Sequence, residues 1–184
     1  GGTALVLQMK QRLSQPGHVV GLGRITGLSG TQWDAIEARI GSMTTHQQIE
    51  TNQLIKDRLP LLASAFRQAS TPRIRSMATL GGGLAHGDPN QDPPPALIAL
   101  GAQVVVNSSA GERVVTVEDL FVDYFETDLR PGEIMTNVII PTMPASSGGV
   151  YLKFLPRTAD DYATVSVAAV VTRGEDDTCR DIRI

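Results

Sequence analysis

The sequence predicts an α+β chain with a β-rich tail, and three observations carry that expectation. Helical and strand-like apolar periods are mixed through residues 1–141. A stretch rich in Pro, Ser and Gly, TMPASSGG, follows at 142–149, and beyond it the pattern is strand alone. Mixed elements followed by a strand-only segment read as α+β. The expected organisation is a first domain over 1–141, a linker at 142–149 and the beginning of a second domain at 150–184.

Each element has a local reason. A Gly-Gly-Thr turn opens the chain, and LVLQMKQRL continues as a short helix within residues 1–13. Pro16-Gly17 breaks the chain before HVVGLGRI, which reads as a short strand with a loop behind it. AIEARIG (35–41) alternates apolar or small with charged residues and is expected to be a strand. Thr44 or Thr45 can cap the helix that begins at HQQIE, and Gln48 lies at capping-box spacing from Thr45. RLPLLASAFRQAS (58–70) places Leu59, Leu62, Ala63 and Phe66 at helical spacing and stops before Pro72. PPPALIALGA (93–102) is a helix opened by proline and closed by Gly101. QVVVNS and RVVTV flank Gly111 as a hairpin. EDLFVDYF is short and amphipathic, RPGE is a turn, and EIMTNVIIP is a strand halted by Pro141. VYLKFLP, YATVSVAAVV and CRDIRI read as three strands of a separate sheet.

Composition excludes several function classes. Net charge is −3 and the basic residues are dispersed, so the clustered basic face that nucleic acid requires is missing. No apolar run reaches membrane-spanning length. The single cysteine, Cys179, rules out an internal disulfide and an iron–sulfur cluster held by this chain alone. A cytosolic or otherwise reducing setting fits. The chain opens without an initiator Met or a signal core and closes inside a strand pattern, so both ends read as cuts through structure.

Two glycine turns carry the functional signal: GGT at 1–3 and TLGGG at 79–83. Each offers consecutive backbone N–H groups with no Cβ in the way and a threonine hydroxyl alongside, the makings of a nest for anionic oxygen. Hydrogen bonds to a charged acceptor contribute ~1.5–3 kcal/mol each, enough for several to hold a diphosphate. Neither turn is a Walker loop, since no Lys-Ser or Lys-Thr follows. Neither has the spaced glycines of a Rossmann fingerprint.

The run TLGGGLAHGDPNQDPPPALIAL resembles the second flavin-binding motif of the FAD-binding (medium) subunit of molybdenum hydroxylases, the xanthine dehydrogenase and aerobic carbon monoxide dehydrogenase family. The resemblance extends along the chain through GGT, VVGLGRITGL, IGSMTTHQQIE, YFETDLRPGEIMTNVIIP and YLKFLPRTADDYATVSVAAVV. It implies an FAD-binding fold of the vanillyl-alcohol oxidase and MurB type, with two α/β subdomains, followed by the start of a β-rich C-terminal flavoprotein domain. It also implies that the family's first strand and helix and its C-terminal helical end lie outside this sequence, leaving the fragment alone inactive and expected to bind FAD weakly or not at all.

By the same resemblance, Gly1, Gly2, Thr3, Ala4 and Leu5 wrap one side of the FAD diphosphate and Thr79, Leu80, Gly81, Gly82 and Gly83 the other. Asp92 matches the acid that meets ribityl or adenosine hydroxyls. Met135 stands where the family has an apolar residue against the cofactor. Lys153 matches a lysine near the flavin ring, and Tyr162 sits on the loop beside the isoalloxazine. The family usually has Asn at the position of Gly83 and Asp or Ser at that of Ala4, so two side-chain hydrogen bonds are lost while the backbone donors remain. No residue here is expected to be catalytic toward the organic substrate or to bind metal. His86, Asp88 and Asp92 read as a polar loop, Asp160 and Asp161 as solvated carboxylates, and Trp33 as a packing residue.

The implied function is an oxidoreductase subunit in an electron relay. Molybdopterin on a large subunit and iron–sulfur clusters on a small subunit are partners, and electrons leave through FAD to NAD, quinone or oxygen. The alternatives are a MurB-like flavin reductase and a docking scaffold without flavin in the same complex.

Overall fold

The computed structural model describes residues 1–156 and 161–184. The elements run α1 (Thr3–Lys10), β1 (Thr31–Trp33), β2 (Glu37–Gly41), α2 (His46–Thr51), α3 (Gln53–Arg58), α4 (Pro60–Gln68), α5 (Pro72–Arg75), α6 (Leu80–His86) and α7 (Pro93–Ala99). They continue β3 (Gln103–Ser108), β4 (Gly111–Thr116), α8 (Val117–Leu120), β5 (Phe121–Asp123), β6 (Glu126–Thr127), β7 (Ile134–Pro141), β8 (Ser147–Phe154), β9 (Val165–Arg173) and β10 (Cys179–Arg183).

A five-stranded sheet of order β1-β2-β7-β3-β4 carries the first part, with every neighbouring pair antiparallel. A second sheet of order β10-β9-β8 carries the tail, and β5 pairs with β6 in a small ribbon. α4 and α7 pack on the second sheet and α6 on β7 of the first. α4 presents Leu61, Leu62, Ala65 and Phe66 to the core, with Pro60 at its first turn where a missing N–H costs nothing. Tyr151, Ala168 and Val170 of the second sheet join the same apolar cluster as Ile40, Leu62, Leu97 and Val138. Burial of such aliphatic side chains contributes about 1.5–3 kcal/mol each, so the two sheets are held through shared side chains.

Several local expectations are met. Thr45 and Gln48 form a reciprocal capping box at α2. β3 and β4 pair around Gly111, and Gly101 follows α7 in the left-handed region at φ +67°. Two differ. The expected strand in HVVGLGRI is absent: Val19 and Val20 are exposed and no chain pairs with them. Valine favours a strand only where a neighbour packs on it. The helix read over 58–70 is divided, because Leu59 leaves helical geometry (φ −134°) just before Pro60. In the expected linker, Ser147 to Gly149 already belong to β8. Among the described residues no helix is long and apolar enough to cross a membrane.

Candidate cofactor-binding cleft

The glycine motif at 79–83 is stitched onto the end of β2 before it forms anything else. His46 N–H donates to the Ala78 carbonyl at 3.0 Å, Leu80 N–H to Thr44 at 3.0 Å, and Gly81 N–H to Ser42 at 2.8 Å. This close pairing requires a glycine. A Cβ on Gly81 would stand 2.6 Å from Ser42 Cβ. Thr79 then caps α6, its Oγ1 accepting from Gly82 N–H at 3.3 Å, and Gly83 N–H returns to the Thr79 carbonyl at 2.9 Å. The expectation of an open N–H nest at 81–83 is therefore corrected. These donors are spent on the fold, and the glycines permit close approach.

The open donors lie on the other motif. Gly2 adopts a left-handed conformation (φ +72°) and leads into α1 without a side-chain cap. Among the described residues, the N–H groups of Gly2, Thr3, Ala4 and Leu5 meet no acceptor, the first being that of Val6 to the Gly2 carbonyl. Orphan donors at a helix start suit an anion. Gly1 runs against Met77 and Ala78, just ahead of the second motif, and its nitrogen stands 3.5 Å from Thr79 Oγ1. A Cβ on Gly1 would fall 1.9 Å from the Met77 carbonyl oxygen, so only a bare backbone passes there.

Between them opens a cleft of about 870 Å³, within the size of a cofactor site. Gly1, Gly2, Thr3, Ala4, Leu5, Thr79, Gly82, Gly83, Asp92 and Tyr162 all line it. Four expected residues do not. Leu80 points into the core, Gly81 packs on Ser42, and Met135 lies in the core on β7. Lys153 is the fourth: its ammonium is turned inward, donating to the Gln68 carbonyl at 2.9 Å and to Asp92 Oδ2 at 3.0 Å. A charge at that depth needs a partner, and Asp92 supplies it.

Asp92 is thereby committed. Its other oxygen accepts from Tyr151 OH, and burial, then the hydrogen bond to Asp92, pushes the phenol pKa well above its ordinary value. Tyr162 OH donates to Asp88 Oδ2 at 2.8 Å, and that bond, with burial, pushes its pKa up to about 12. Asp88 also accepts from Asn90 N–H, which makes it a loop anchor. Of the adjacent carboxylates, Asp161 lines the cleft mouth and Asp160 lies outside the described residues.

Sequence reasoning passed over His46, Gln91 and Tyr151. Tyr151 was legible, since it lies two residues before Lys153 on a strand and shares its face. His46 lines the cleft, and burial holds it neutral, lowering its pKa to about 4. Gln91 lines the cleft through a loop with no periodicity to announce it.

Fold and cleft together define a domain built for an extended cofactor carrying an anion. Residues 1–143 match the family described as the FAD binding domain in molybdopterin dehydrogenase. The chain belongs to that family. It is 39% identical over its full length to the nicotine 6-hydroxylase medium subunit of Paenarthrobacter nicotinovorans, covering 64% of that protein. It is 35% identical over its full length to the carbon monoxide dehydrogenase medium chain of Hydrogenophaga pseudoflava, covering 63% of it. Solved structures agree: carbon monoxide dehydrogenase from Hydrogenophaga pseudoflava superposes with a TM-score of 0.93 at 35% identity, over 99% of this chain and 63% of that one. Quinoline 2-oxidoreductase from Pseudomonas putida 86 superposes at 0.91 and 30% identity, over 99% of this chain and 62% of that one. The chain thus spans less than two thirds of the length of these relatives. FAD is the cofactor of this family, and the residues present fit it: a cleft of sufficient size, unspent N–H donors at one wall and a bare-backbone contact joining the two motifs.

Proposed function

We propose that this chain is the FAD-holding part of a molybdenum hydroxylase medium subunit, passing electrons from iron–sulfur clusters on a small subunit to an external acceptor. Molybdopterin on a large subunit carries the oxidation of the organic substrate. The observation that carries the reading is the contact of Gly1 with Met77 and Thr79, which brings the two glycine motifs to one cleft. FAD, when bound, supplies exchange of both single electrons and pairs, which lets such a subunit join one-electron clusters to acceptors such as NAD, quinone or oxygen.

The chain's own residues bind and orient. The N–H groups of Gly2, Thr3, Ala4 and Leu5 hold the diphosphate, with the Thr79 and Gly82 backbone closing the opposite wall. Tyr162 covers the mouth, and its bond to Asp88 sets the ring's position. Lys153, Tyr151 and Asp92 form the rigid support beneath, while Leu80, Gly81 and Met135 hold the wall from behind. A cytoplasmic location is part of the proposal, supported by the exposed, unpaired thiol of Cys179, which suits a reducing compartment.

Purification of the full-length subunit with its partners tests this. A yellow preparation with the absorbance of oxidised flavin is expected, together with stoichiometric FAD on extraction. A colourless protein that FAD does not reconstitute rules the reading out. Residues 1–184 alone are expected to bind FAD weakly or not at all, and a chain of the relatives' length to bind it stably, in parallel titrations.

A further inference from the structure

We infer that Gln91 and His46 form a polar notch in the cleft wall that receives a hydroxyl group of the cofactor. The notch rests on the FAD reading above and exists because residue 83 has no side chain. A Cβ there would stand 2.9 Å from Gln91 Oε1 and 3.6 Å from His46 Nε2, so the two polar groups converge on the space a side chain would fill. All three residues line the cleft.

The orientation of Gln91 follows from its partner. Its amide touches the Gly83 carbonyl at 2.9 Å, and a carbonyl oxygen takes only a donor, so the nitrogen faces it and Oε1 is the acceptor left for a ligand. The imidazole opposite is held firmly. Its ring meets Phe66 edge-on at 4.9 Å and its backbone N–H is bonded to Ala78. His46 is only 7% exposed, and Nε2 is the ring nitrogen this packing leaves on the notch side.

A hydroxyl is the chemical group that answers both sides. It donates its proton to Gln91 Oε1 and keeps lone pairs to accept from Nε2–H in the tautomer that carries the ring proton on that nitrogen. Asp92, the acid expected to meet cofactor hydroxyls, already accepts from Tyr151 and Lys153, whereas the adjacent Gln91 oxygen is engaged by neither. In FAD such hydroxyls occur on the ribityl chain and on the adenosine ribose.

The test uses the full-length subunit stripped of flavin. In Gln91→Leu the FAD dissociation constant is expected to rise about tenfold, the worth of one good hydrogen bond, with no change in the thermal midpoint of the FAD-free protein. Gly83→Ala, which fills the notch, is expected to weaken FAD in the same way. FMN, with a ribityl chain and no adenosine, and ADP, with a ribose and no ribityl chain, identify which hydroxyl is held by which of them loses affinity. Unchanged FAD affinity in both variants overturns the inference, as does a loss that merely follows a lowered FAD-free midpoint. Failure of the unmodified subunit to bind FAD overturns the reading beneath it instead.

Discussion

Lys153 Nζ stands 3.0 Å from Asp92 Oδ2, with the two side chains 1% and 6% exposed, so the second sheet is joined to the cleft wall by a buried ion pair. Removing one member leaves the other charge uncompensated, which costs about 3–5 kcal/mol. Asp92→Ala is therefore expected to lower the urea midpoint sharply. The double variant Asp92→Leu with Lys153→Met is expected to lose much less than the sum of the single losses. Urea denaturation of all the variants closes the cycle, and strict additivity would contradict the coupling.

Gly81 is a packing glycine. Alanine there would bring its Cβ within 2.6 Å of Ser42 Cβ and 3.1 Å of the Ser42 carbonyl oxygen, both parts of a strand end that cannot move freely. Gly81→Ala is expected to destabilise by about 1–3 kcal/mol, the ordinary cost of overpacking. Gly148→Ala meets nothing within 4 Å and serves as the control. Equal stability of the two variants in denaturant would remove the steric argument.

His46 makes stability depend on pH. Burial, first, and the nearby Arg75 charge lower its pKa from 6.5 to about 4. Between those values the unfolded chain binds a proton that the folded chain does not, so stability rises with pH across this window and is lost as pH falls through it. The full effect of a shift of this size is on the order of 3 kcal/mol. Melting between pH 4 and 7 is expected to show this slope in the parent and a shallower one in His46→Gln. Parallel curves would exclude His46 as the source.

Tyr162 provides a spectroscopic reporter of the cleft mouth. Its hydrogen bond to Asp88, with burial, places its ionisation at about 12. Asp88→Asn removes the negative charge beside the phenol and is expected to bring phenolate absorbance back toward pH 10. An unshifted titration in the variant would show that Asp88 does not control this phenol.

How much was legible follows from the range of each interaction. The capping box at Thr45 and Gln48, the β3–β4 hairpin and the helix after Pro93 depend on neighbours a few residues away, and they stand as read. The glycine motifs were legible as well, because bare backbone announces close approach. Their division of labour was not. Whether an N–H at 81 faces a ligand or Ser42 depends on where β2 ends, a matter settled forty residues earlier in the chain. Lys153 shows the same limit: its charge drew attention to the cofactor, while the pairing that consumes it comes from Asp92 on another element.

By itself, then, the amino-acid order determined most of the element types, the family and the two glycine motifs that border the cleft, because periodicity and glycine content are local. Only the tertiary structure decided which donors remain unspent, which carboxylate is already paired and which glutamine and histidine meet across the gap at Gly83. Hydrogen bonds saturate: once a group is engaged by the fold it is no longer available to a ligand, and that allocation is made among residues far apart in the chain.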